Sequence, residues 1–196
     1  MTAPTARQPA KKRKAGRTAS VVTFCLTVSP PIMCPSARGS RLAEALDCDY
    51  RLMPATLVVT DQRLAVALRH ESPVATALAL AGHADVALTG IGAFDGTTSG
   101  SIFDSWQTPA MIRELASRGA VGHVCGHHFT GSGDHIETEM CRRTMVVPLN
   151  QLSGISTVVG VAYGPEKVEA IRGALRGHHL DVLVTDGQTA ATLLSG

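Results

Sequence analysis

The run GHVCGHH at positions 122–128 places His123, Cys125, His127 and His128 close together in the chain. Imidazole and thiolate are the ligand types that zinc prefers. On an extended strand, positions 123, 125 and 127 would share one face. The run nevertheless lacks the separated ligand pairs of zinc sites, and His135 would have to join from a turn, so the residues read as no metal site. His123 reads instead as a neutral hydrogen-bonding group at the end of a sheet, with Cys125 beside it.

A second group points to anion chemistry. Gly164, Pro165, Glu166 and Lys167 open a helix directly after an apolar run, and a helix start presents free N–H groups and a partial positive charge. A lysine there is disfavoured by ~0.3–1 kcal/mol. A phosphate or carboxylate ligand offsets that cost. A third group is the loop GIGAFDGTTSGS at 90–101, whose backbone N–H groups and hydroxyls of Thr97, Thr98, Ser99 and Ser101 suit a hydroxylated ligand. It is not a dinucleotide fingerprint, because the GxGxxG spacing before a helix is missing. No catalytic set is legible: there is no GxSxG elbow, and nothing ties Asp95, Asp104 or Asp186 to a histidine. Phe103 and Trp106 flank the loop and read as packing groups, and Arg143 as a solvated edge cation.

The elements that must position these groups follow from pattern. Residues 156–190 read as a buried strand, a glycine turn, a proline-started helix and a second buried strand, which is a βαβ unit. The run ADVALTG at 84–90 is nearly all apolar, the pattern of a central parallel strand buried on both faces. Strands are expected at 21–28, 51–54, 120–125 and 144–147. Helices are expected at 39–46, with Leu42, Ala45 and Leu46 inward, from Asp61 through His70, from Ser72 as a cap with Pro73 following, and from Thr108 to Gly119. GSGD at 131–134 reads as a hairpin turn. The pattern specifies an α/β fold: a three-layer, Rossmann-like domain with a mostly parallel sheet.

The composition, 44% hydrophobic and 17% charged in 196 residues, is that of one globular domain. The net charge of +2 conceals Arg7, Lys11, Lys12, Arg13, Lys14 and Arg17 in the first twenty residues, without an acid among them. Residues 1–20 therefore read as a basic disordered tail and 21–196 as the domain. The basic head and the apolar run after it imitate a secretory signal, but the run closes on Pro30 and Pro31. Five cysteines (Cys25, Cys34, Cys48, Cys125 and Cys141) form no CxxC and are odd in number, which favours reduced thiols and the cytoplasm. No segment has the ~20 apolar residues of a membrane span.

Together, ADVALTGIG at 84–92, GAVGHVCGHHF at 119–129, PLNQL at 148–152, VVGVAYGPEKVEAIRGAL at 158–175 and LDVLVTDGQTA at 180–190 resemble the effector-binding domain of SorC/DeoR-type sugar-binding transcriptional regulators. The resemblance implies a sugar-isomerase-like fold that senses a sugar or phosphosugar at the carboxyl ends of its strands. It also implies association into homo-oligomers. Lys167 matches the family's phosphate-facing lysine, and His123, Cys125 and the 90–101 loop match walls of the sugar pocket. The expected ligand-binding set is Lys167, His123, Cys125, Gly90, Gly92, Ser99 and Asp186, with no catalytic residue, no cofactor and no membrane contact. The alternative is a sugar-phosphate isomerase or deaminase-like enzyme in which His123 moves a proton.

The chain departs from the family in three respects. No helix-turn-helix is visible, so DNA would be reached only through a missing head or a partner. TVSPPIMCP at 27–35 replaces a glycine-rich phosphate loop, and prolines carry no N–H. His123 stands where many members have an acidic residue.

Overall fold

The computed structural model describes residues 20–23, 35–96, 103 and 106–195. The basic tail and most of the expected first strand lie outside the described residues. The centre is a six-stranded sheet in the order β6-β5-β4-β3-β7-β8. Strands β3 (Val86–Ala93), β7 (Thr157–Val161) and β8 (Val182–Val184) run parallel. The connection from β7 to β8 is the expected one: a 3₁₀ turn at Pro165–Lys167 leads into α7 (Val168–Arg176). Helix α7 is amphipathic, and Val168, Ile171 and Ala174, spaced three apart, are buried with Ala170 against β3 and β4.

The other half of the sheet is antiparallel, formed by β4 (Ala120–Val124), β5 (His127–Thr130) and β6 (His135–Ile136). The expected strand 120–125 stops one residue early. Cys125 and Gly126 have φ of 51° and 81° and form a two-residue turn, the geometry that joins twisted hairpin strands. His127 therefore pairs with Val124 and His128 with His123. Positions 123, 125 and 127 do not share a strand face, because the chain reverses between them.

Local signals place most helices correctly. Helix α2 (Gln62–His70) is capped by Asp61, which accepts from the Leu64 N–H at 2.9 Å. Helix α4 (Pro109–Ser117) is capped by Thr108, which accepts from the Met111 N–H at 3.3 Å. In α3 (Ser72–Gly82) the N-cap is Glu71 rather than Ser72, and no side chain caps it. Helix α1 (Pro35–Ala45) connects β1 (Ser20–Thr23) to a parallel β2 (Asp49–Leu52), and these two strands form a separate sheet. Among its described side chains Ala43 is buried, whereas Leu42 and Ala45, and Leu46 just after the helix, are exposed, contrary to expectation.

Residues 144–147 form no strand. Thr144 makes one isolated bridge to Val58, and Met145, Val146 and Val147 are buried. Before them lies the short α5 (Glu139–Arg143), capped by Thr138, and after them α6 (Leu149–Leu152). Arg143 is not a free edge cation: it donates to the Thr60 carbonyl at 3.0 Å and lies 3.6 Å from Glu139. The last helix is α8 (Gly187–Leu194).

The two faces of the parallel strands differ. Ile91 and Val158 turn to the α7 side and are buried. On the opposite face the register aligns Leu88 with Val159 and Val182, and Gly90 with Val161 and Val184. There Leu88 is 60% exposed, Val86 58% and Val184 50%. Burial of β3 on both faces is therefore not found among the described residues. The apolar demand was legible, but whether another layer meets it is a tertiary matter. The dye ANS is expected to fluoresce on binding the purified protein, and Leu88→Lys/Val184→Lys to weaken that signal; an unchanged signal would mean that this face is covered in solution.

His179 is buried, and its Nε2–H donates to the Gly133 carbonyl at 2.8 Å. Burial lowers its pKa, the neighbouring His135, His127 and His178 act in the same direction, and the Gly133 hydrogen bond opposes it. A base with a lowered folded-state pKa stabilises fully above its unfolded value, ~6.5, and loses that contribution as pH falls through the folded value. Urea midpoints are therefore expected to fall from pH 7.5 to pH 5.5, and less so in His179→Gln; an identical fall in the variant assigns the effect to other groups.

Candidate functional site

The turn after β7 begins at Gly164, with φ of 105°, and its N–H donates to Thr189 Oγ1 at 2.9 Å. Thr189 is buried in the first turn of α8, where its own N–H donates to Asp186 Oδ1 at 2.7 Å. These bonds tie the carboxyl ends of β7 and β8 together. The Thr189 contacts, backbone first, hold the Asp186 carboxyl below its ordinary range, so it is an anionic helix cap. Between β8 and that cap, Thr185 buries its hydroxyl without a hydrogen-bond partner. Sequence reasoning missed this residue; the signal was a hydroxyl at the carboxyl end of an apolar strand.

Lys167 closes the 3₁₀ turn, its N–H donating to the Gly164 carbonyl at 3.1 Å, and its side chain is half-buried. Among the described residues no carboxylate forms an ion pair with it. The Glu166 carboxylate folds back over Gly164, where an added Cβ would stand 2.6 Å from Oε2. An incoming anion therefore meets one free ammonium and one carboxylate that must swing aside.

The turn at 165–167 packs beside β3, which carries Gly90 and Gly92. Gly92 lies opposite His123, whose ring covers it so closely that any Cβ there would overlap the ring. His123 is 5% exposed, edge-on to Phe103 at 5.0 Å and tilted against His128 at 5.2 Å. Its ring lies beneath β3 rather than at an open surface. Cys125 Sγ is 3.3 Å from Thr89 Oγ1, which also donates to the Gly90 carbonyl at 3.1 Å. Burial raises the Cys125 pKa, keeping it a neutral thiol, although the Thr89 contact opposes this. Ser99 lies outside the described residues.

The sheet end thus gathers Gly90, Gly92 and Cys125 around β3 and sets Lys167, Thr185 and Asp186 on the adjoining strand ends. Two clefts lie elsewhere. One of ≈570 Å³ is lined by Leu78, Ala79, Gly82 and Gln151, and its one cation, Arg69, already donates to the Thr144 carbonyl at 2.7 Å. The other, of ≈330 Å³, is lined by His127, His135 and Cys141. Neither includes a residue of the expected set. No helix of the described residues is long and apolar enough to cross a membrane.

A family model described as "Putative sugar-binding domain" matches residues 37–195. The transcriptional regulator LsrR of Klebsiella pneumoniae is 35% identical over 150 residues, covering 76% of this chain and 46% of that protein. LsrR of Escherichia coli K12 is 36% identical over 149 residues, 75% of this chain and 47% of its own length. The chain thus spans about half the length of these curated relatives. The crystal structure of the full-length sorbitol operon regulator SorC from Klebsiella pneumoniae has the same fold, with a TM-score of 0.80 at 22% identity, over 89% of this chain and 57% of that one.

Proposed function

The chain belongs to the sugar-binding-domain family, and from that premise we propose that it is the effector sensor of a transcriptional regulator. It binds a sugar or sugar phosphate at the carboxyl ends of β3, β7 and β8. The observation that carries this reading is a half-buried lysine that pairs with no carboxylate among the described residues, at a helix start beside the strand ends. Lys167 contacts the ligand's anionic group; Gly90 lets its hydroxyls approach the β3 backbone, and Gly92 makes room for the His123 ring. Cys125, Thr185 and Asp186 line the rim, and His123 packs against Gly92.

The reading is that of a sensor without turnover and without a cofactor, and relatives named as transcriptional regulators support it. The domain spans 21–196 with a basic tail before it, acts in the cytoplasm as a homo-oligomer, and reaches DNA through a further segment or a partner. The exposed apolar sheet face gives association a driving force.

Thermal-shift measurements against sugar phosphates and their unphosphorylated parents are the direct test. A ligand at 100 times its Kd stabilises by about 2.7 kcal/mol, which raises Tm by about 5–11 °C for a domain of this size. Lys167→Ala is expected to abolish the shift for phosphorylated ligands. No shift across a broad panel removes the proposal, and steady conversion of any ligand during incubation replaces it with the isomerase or deaminase alternative.

A further inference from the structure

His127, His135 and Cys141 come together from three elements. His127 lies at the start of β5, His135 in β6 and Cys141 within α5. Each offers one donor atom, and these atoms lie within 4.8 Å of one another. In a tetrahedral zinc site, neighbouring ligand atoms are roughly 3.3–3.8 Å apart, given bonds of ~2.0 Å to nitrogen and ~2.3 Å to sulfur. Cys141 Sγ is already 3.8 Å from His135 Nε2. The rings of His127 and His135 stand 5.4 Å apart at 75°, edge to face.

The hydrogen bonding of His127 supplies an independent indication. Its Nε2 is 3.0 Å from the Val147 carbonyl oxygen, which can only accept, so Nε2 carries the proton. The other ring nitrogen, Nδ1, is then a bare lone pair. It is buried without a hydrogen-bond partner on a side chain only 6% exposed. A ring fixed by donating one N–H to a backbone carbonyl while the second nitrogen is free is the arrangement of metal-ligating histidines. Without a ligand the buried lone pair costs free energy; a cation satisfies it.

We propose that His127 Nδ1, His135 Nε2 and the Cys141 thiolate bind one zinc ion, with a fourth position open to the adjoining cleft. That cleft, ≈330 Å³ in volume, is also lined by Glu137, Arg142 and Asn150. Glu137 pairs with Arg142 at 3.0 Å, so a water or small anion takes the fourth position. Two imidazoles with one thiolate suit zinc and exclude magnesium or calcium, which take oxygen ligands. The Cys141 sulfur lies beside the two rings and accepts a hydrogen bond from a neighbouring hydroxyl. Thr138 Oγ1 donates to Sγ at 3.4 Å, while the Ile136 and Gly126 carbonyls are farther, at 3.7 and 3.9 Å. The ion clips the β5–β6 hairpin to α5. Only one of the three ligands belongs to the GHVCGHH run, which is why spacing along the sequence argued against metal.

The untagged, reduced full chain should bind one equivalent of Zn²⁺ in competition with a chromophoric chelator, and Co²⁺ should give a thiolate-to-metal charge-transfer band. His135→Gln changes an exposed side chain and keeps the fold; it should weaken Zn²⁺ binding about 10- to 100-fold or more. Cys141→Ser should also abolish the cobalt band, and Cys48→Ser should preserve both signals. Binding unaffected by His135→Gln and Cys141→Ser overturns the assignment, as does no stoichiometric binding by a chain whose circular dichroism shows it folded.

Discussion

Gly133→Val is expected to remove most of the protein's stability. Gly133 sits at φ 94° in the β5–β6 turn, and a Cβ there would overlap the backbone N and Cα of Gly177 and come within 2.8 Å of the Gly173 carbonyl oxygen. Neither obstacle is the tip of a flexible side chain. The turn is held against the end of α7 by His179 donating to the Gly133 carbonyl at 2.8 Å and by Arg176 donating to the Gly131 carbonyl at 2.9 Å. A β-branched residue in the left-handed region adds its own strain. The combined loss is put above about 4 kcal/mol, out of the 5–15 kcal/mol typical of a domain. Urea denaturation followed by circular dichroism measures it, with Gly133→Ala as the milder companion if the valine variant does not accumulate. A loss below ~1 kcal/mol would show that the turn can lift from α7 freely.

Phe129→Ala comes next, with an expected cost of about 3–5 kcal/mol. The ring is fully buried, stacks against His179 at 5.1 Å, and contacts the α7 backbone where Gly173 leaves room for its edge. Deletion opens a cavity between α7 and the antiparallel half of the sheet. At ~2–4 °C per kcal/mol, Tm should fall by about 6–20 °C, and Phe129→Leu by clearly less. The stacking component is separable: Phe129→Ala and His179→Ala together should cost less than their sum, by about 0.5–1.5 kcal/mol. Strict additivity would reduce the ring pair to coincident packing.

Much of the fold was legible because its signals are local. Asp61 and Thr108 cap helices within three residues of themselves, and Pro165 sets the backbone of its own turn. The βαβ unit follows from apolar runs that need no distant partner to be recognised. The misplacements fall where the partner is remote. Val146 and Val147 look like a strand but are buried by other elements. Cys125 looks like a strand residue but turns the chain, because Gly126 after it completes a tight hairpin.

The sequence alone determined the α/β class, the order of the parallel strands' elements and the lysine at the helix start, since these depend on neighbours within one or two turns. Tertiary structure alone decided which side chains meet. His127 and His128 are adjacent in sequence yet face opposite sides of β5, one toward His135 and Cys141, the other toward His123. Alternation along a strand separates neighbours by a full sheet thickness, while pairing between strands and packing of α5 bring together residues up to fourteen positions apart. A one-dimensional spacing rule can register the first effect, but the second exists only once the sheet is folded.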